Sequence, residues 1–101
     1  MTDITALDDL DGQPHVNVFP GAEPKTVRLS LEAGETVPEH THPGRDIVLY
    51  VVDGEIELAL EEDTHELTGG EVARFAGDQD ISPTATSEST ALIVLAPAVE
   101  E

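Results

Sequence analysis

Two of the four histidines in this 101-residue chain stand one residue apart, in the segment Glu39-His40-Thr41-His42-Pro43-Gly44-Arg45-Asp46. On an extended strand, residues i and i+2 project from the same face. The imidazoles of His40 and His42 can therefore converge on one point, and neutral imidazole is the commonest side-chain metal ligand. Pro43–Gly44 turns the chain, and Asp46 opens the next strand with a carboxylate expected to reach the same spot. Two imidazoles and one carboxylate on one side of an ion leave positions open for water or substrate, a set that suits a divalent metal such as Fe, Mn or Zn. Taken alone, the same His-x-His reads as two polar rim residues of an exposed loop. With 22 Asp+Glu in the chain, an acid nearby is also commonplace. There is no cysteine, so no thiolate ligand and no disulfide framework enters the reading.

Short strand-like segments must position these groups. Residues 15–19, 25–32, 46–52, 55–61, 71–75 and 90–96 are apolar on alternate positions or throughout. In 25–32, Val27, Leu29 and Leu31 share one face; in 55–61, Ile56, Leu58 and Leu60 do. Pro24, Gly34, Asp53–Gly54, Gly69–Gly70, Gly77–Asp78 and Pro83 punctuate them, and no window keeps a helical period for three turns. Many short strands at this spacing predict an all-β sandwich or barrel. Asp53–Gly54 predicts a two-residue type I′ turn closing a hairpin over 46–61. The length fits one domain, with an acidic arm over 1–14, the barrel over 15–97 and a C-terminal tail over 98–101. If Asp46 faces the interior, Val48, Tyr50 and Val52 follow it. Val48, Tyr50 and Phe75 are thus expected along the substrate pocket, with the Tyr50 hydroxyl reaching either a ligand or a core carbonyl. The segments 46–52 and 90–96 are apolar on both faces, so an outer cover is expected, from another layer of strands or from a second subunit in a homodimer.

The net charge is −18 at pH 7, from 22 acids against four bases. Such a surface repels nucleic-acid backbones and anionic lipid, so neither is an expected partner. It reads as a halophile-type surface in preference to an acidic interaction module. No apolar run approaches a membrane span. The N-terminus lacks the basic and apolar regions of a signal peptide, and the expected location is cytoplasmic. Arg45 and Arg74 read as surface ion pairs or as contacts for an anionic substrate. His15 and His65 have no motif around them. No nucleophilic triad, phosphate-cradling loop or dinucleotide fingerprint is present.

Gly34, five residues, His40, one residue, His42, three residues, Asp46, seven residues, Gly54 resembles the first cupin motif, Gly-x5-His-x-His-x3–4-Glu-x6-Gly. The acid is Asp instead of Glu, and the last gap is one residue longer. The second motif, Gly-x5-Pro-x-Gly-x2-His-x3-Asn, is matched in its glycines, Gly69 and Gly77. It departs from the pattern at Phe75, Asp80 and Thr84. The resemblance covers about residues 25–97 and implies an all-β, single-domain cupin jelly-roll β-barrel with a metal in its mouth. It also implies Asp80 at the third histidine position, with His40, His42, Asp46 and Asp80 as the ligand set. Two functions follow. One is a metal-dependent cupin enzyme, an oxygenase or isomerase, acting on a small polar molecule. The other is a non-catalytic small-molecule binding or sensing cupin with a degraded metal site.

Overall fold

A computed structural model describes residues 2–98. Of the expected C-terminal tail, residues 99–101 lie outside the described residues. Eight strands form two antiparallel sheets: β1 (His15–Asn17), β2 (Lys25–Leu31), β3 (Arg45–Asp53), β4 (Glu55–Leu60), β5 (Thr64–Thr68), β6 (Val72–Ala76), β7 (Ile81–Ala85) and β8 (Ser89–Pro97). The larger sheet runs β1-β2-β8-β3-β6 and the smaller one β5-β4-β7. The architecture is the expected all-β jelly roll.

The core lies between the sheets, and strand alternation fills it. β2 contributes Val27, Leu29 and Leu31, β4 contributes Ile56 and Leu58, and β8 contributes Ala91 and Leu95. β3 contributes Ile47, Leu49 and Val51, each at most 2% exposed. This parity corrects the expected orientation of β3. Asp46, Val48, Tyr50 and Val52 belong to the opposite, outer face, where Tyr50 and Val52 are each 38% exposed. Tyr50 pairs with Val72, itself 60% exposed, so the outer face of β3 and β6 carries an apolar patch.

The expected 46–61 hairpin does not form. β3 pairs with β6 on one side and β8 on the other, while β4 pairs with β5 and β7. Both edges of β3 are taken, so the chain must leave its sheet at Gly54 and enter the second one. Among the described residues only glycines have positive φ, so Asp53 does not adopt the type I′ geometry. Gly54 is required for a different reason: a Cβ there would strike the Glu88 carbonyl and Ser89 Oγ. Buried Ser89 secures this corner, its Oγ accepting the Glu55 N–H at 2.9 Å.

Sequence reading also passes over β7, because Pro83 looks like a turn signal. Proline is tolerated where the ladder needs no N–H. Pro83 lies opposite Leu58 of β4, and its carbonyl accepts the Val37 N–H at 2.9 Å on the other side.

The acidic N-terminal arm lies against the outer side of β2. Leu7–Asp9 forms a 3-10 turn. The guanidinium of Arg28, 8% exposed, donates to the carbonyls of Leu7 at 3.2 Å, Leu10 at 3.1 Å and Gly12 at 2.6 Å. Three acceptors on a planar fork hold one geometry better than any neutral group could. Replacing Arg28 by Met keeps the apolar stem but removes all three bonds, and should destabilise the fold by about 2–3 kcal/mol. Amide hydrogen exchange over residues 5–13 should speed up more than in the sheets. Unchanged exchange in the arm would show that the clamp does not hold it.

Candidate functional site

The His40–His42 segment is not a regular strand. Residues 34–40 run alongside β7, with His40 and Ile81 exchanging both backbone bonds at 3.1 and 2.9 Å. The His42 N–H donates to the Gly77 carbonyl at 2.6 Å, and the Gly77 N–H to the Arg45 carbonyl at 2.8 Å. Gly77 is buried directly under this turn, and a Cβ there would collide with the His42 carbonyl. The backbone therefore fixes both histidines before their side chains contribute. The His40 Nδ1–H donates to the Pro38 carbonyl at 2.9 Å, which leaves Nε2 as the free nitrogen. The two rings meet edge to face with centroids 4.8 Å apart.

These rings border a cavity of about 490 Å³ between the sheets. Its floor is apolar: Val27, Ile47, Leu49, Ile81, Ile93 and Leu95, with Phe75 at the side. Of the three residues expected along the pocket, Phe75 is the one that lines it. The rim adds three groups that sequence reading did not assign to the site, His15, Asn17 and Lys25. Strand parity explains them. Lys25 is two residues before Val27 on the inner face of β2, and His15 and Asn17 of β1 pair with Leu29 and Val27. Glu39 is the acid on this rim.

The other expected site residues lie elsewhere. Asp46 faces outward and accepts from Arg74 Nη2 at 3.3 Å, so its carboxylate is turned away from the histidines. Val48 and Tyr50 share its face and do not line the cavity. Asp80 is exposed; its neighbour Ile81 takes the inward position. Arg45 pairs with Glu23 at 2.6 Å and Arg74 with Asp46, both as surface ion pairs. His65 is exposed on β5.

A divalent metal is the group the motif resemblance implies, and the donor set does not fit it. The two imidazoles are close enough to share an ion. A structural or catalytic zinc site has at least three protein donors; the inward neighbours of Asp46 and Asp80 are Ile47 and Ile81, and His15 and Glu39 on the same rim do not complete a donor set with the pair. Among the described residues, no group of three or more His, Asp or Glu has metal-holding geometry.

Burial lowers the His15 imidazole below its ordinary range, and the nearby His40 and Lys25 lower it further. His42 is lowered by burial, then by His40, Lys25, His15 and Arg45. A folded-state pKa below the unfolded value means that the unfolded chain takes up protons first as pH falls. The stability supplied by these neutral rings is complete above the unfolded pKa of 6.5 and is lost as pH drops below it. Denaturant midpoints of the wild type and His15→Gln/His42→Gln, compared at pH 8 and pH 5.5, isolate this term from the relief of acid–acid repulsion common to both. The double variant should lose less stability on acidification. An equal loss would show that the rings do not titrate in this way.

Residues 27–96 match the Cupin_2 family, described as the cupin domain. No curated protein sequence matches the chain significantly. Among solved structures, the chain is similar to the protein TT1209 from Thermus thermophilus, with 26% identity, a TM-score of 0.80, and 95% of this chain and 98% of that one covered. It is also similar to KdgF from a Halomonas species, with 21% identity, a TM-score of 0.75 and 96% of each chain covered. A third likeness is to an HTH_3 family transcriptional regulator from Vibrio cholerae, with 22% identity and a TM-score of 0.73. There 84% of this chain is covered, and the chain spans 51% of the regulator's length.

Proposed function

The chain belongs to the cupin family, and from that premise we propose that it binds a small organic molecule directly, through its cavity, without a resident metal. The observation that supports this is the exchange of polar for apolar side chains around the two histidines. The cupin motif allows four residues between its second histidine and its acid, and that count from His42 ends at Ile47 and not Asp46. It also restores the six-residue gap to Gly54. Parity agrees, since Ile47 faces inward and Asp46 outward. On the opposite wall Ile81 takes the inward position beside exposed Asp80. The site thus keeps two of four ligand positions and has turned the other two apolar.

A cavity of about 490 Å³ with an apolar floor and a few polar groups at one end has the usual form of a small-molecule pocket. The floor would supply affinity through burial, and the rim of His15, Asn17, Lys25, His40 and His42 would supply orientation. This is the work of a binding or sensing cupin. With Nδ1–H donating to Pro38, the Nε2 of that tautomer is an acceptor to which a ligand hydroxyl or amide N–H can donate.

The homodimer is a proposal of the same kind. The outer patch of Val48, Tyr50, Val52 and Val72 is the face it would use.

Three measurements bear on these proposals. In amide NMR with a set of small organic fragments, perturbations should cluster at residues 25–29, 37–42, 81–83 and 93–95; perturbations confined to the outer sheet faces would overturn the pocket reading. Elemental analysis of protein purified without chelator should find well below about one divalent ion per chain. A stoichiometric ion that disappears in His40→Ala/His42→Ala would restore the metal-dependent enzyme. By sedimentation, the wild type should run as a dimer and Tyr50→Asp/Val72→Asp as a monomer; a monomeric wild type would remove the dimer.

A further inference from the structure

We infer that the ligand of this pocket is a small carboxylate with an apolar body, its negative end seated against Lys25. The inference rests on the binding reading above and deepens it by naming the chemical class. Its basis is where the few cations of this chain are spent.

There are four Lys and Arg residues against 22 acids. Arg28 is used up on three backbone carbonyls of the N-terminal arm. Arg45 is paired with Glu23 and also donates to the Leu95 carbonyl at 3.0 Å. Arg74 is paired with Asp46. Lys25 is the exception: among the described residues its ammonium makes no ion pair and no hydrogen bond, although acids are abundant over the rest of the surface. It stands at the first position of β2, on the inner face and on the cavity rim. A cation left without a carboxylate partner in so acidic a protein is available to a carboxylate from outside.

The surroundings favour the same chemistry. His15 and His42 border the cavity beside Lys25, and their ring nitrogens make no hydrogen bond among the described residues. Each neutral ring carries one N–H that can turn toward an anion. Asn17 adds an amide donor from the adjacent position on β1. Glu39 is the acid that faces the same rim. Below these groups the wall changes abruptly to Val27, Ile93 and Leu95, which offer no polar contact. A ligand charged at both ends, or polar throughout, would leave groups unsatisfied against this floor. A carboxylate on an aliphatic or alicyclic body satisfies both halves. The −18 background lowers the local concentration of anions and slows their approach, so a cation on the rim matters more here than it would in a neutral protein.

The test compares two shape-matched probes, cyclohexanecarboxylate and cyclohexanecarboxamide, by calorimetry or amide NMR at pH 7.5, on the wild type, Lys25→Gln and Lys25→Arg. The wild type should bind the carboxylate about fivefold more tightly than the amide, a ratio in keeping with an exposed ion pair. Lys25→Gln should bring the ratio close to unity, and Lys25→Arg should retain the preference. Equal affinities in the wild type, or a preference that survives Lys25→Gln, would overturn the carboxylate assignment while leaving the pocket reading intact. If neither probe binds while the fragment set still perturbs the cavity residues, the carboxylate assignment falls and the pocket reading stands; if nothing perturbs the cavity, both fall. The dispersion of the amide NMR spectrum of Lys25→Gln reports separately whether that variant keeps the fold.

Discussion

The parity of β3 governs this molecule. A strand has two faces, and a shift of one residue exchanges them completely. Ile47, Leu49 and Val51 are held inward by the burial of three branched side chains, on the order of 5–9 kcal/mol in total at 1.5–3 kcal/mol each. Turning Asp46 inward would trade these three side chains for Val48, Tyr50 and Val52 and would also strand a charge in the core. The choice of face therefore precedes the choice of chemistry. It places an isoleucine beside the histidines and leaves the acid outside with Arg74.

Much of the fold was legible in the residues. Period-two patterns in β2 and β4, and the apolar runs of β3 and β8, identified strands to within a residue or two. Two features misled. β3 is apolar on both faces, so alternation cannot say which face is inner, and the acid at position 46 points to an answer that only packing decides. Asp53–Gly54 carried the residues of a hairpin turn, but the same pair suits a crossing between sheets, and the partners of a strand are not written in its own sequence. β7 was hidden by Pro83, whose missing N–H is harmless because its carbonyl, not its nitrogen, meets the neighbouring segment.

The site was half legible. His40, His42 and Phe75 stood out in the residues, and all three border the cavity. Lys25 could have been found, because it shares the parity of Val27, Leu29 and Leu31. His15 could not, because its place depends on β1 pairing with β2 in a register that nothing local specifies. The two rim strands bring a cation and a ring to the histidine pair from a part of the chain with no motif. A cupin pocket with isoleucines beside its histidine pair can thus take polar contacts from its other wall.

The pairing of residues 34–40 with β7 has an effect beyond holding His40. An open strand end-row invites another chain to add to it, and repeated addition makes fibres. Here the smaller sheet is sealed on its β7 side by the chain itself. Its other border, β5, is short and bears His65 and Glu66; the larger sheet ends in three-residue β1 and in β6 with Arg74. The segment that presents the imidazoles thus also guards a β-rich chain against runaway self-templating, so mutations that loosen it should be selected against even where the ligand is dispensable.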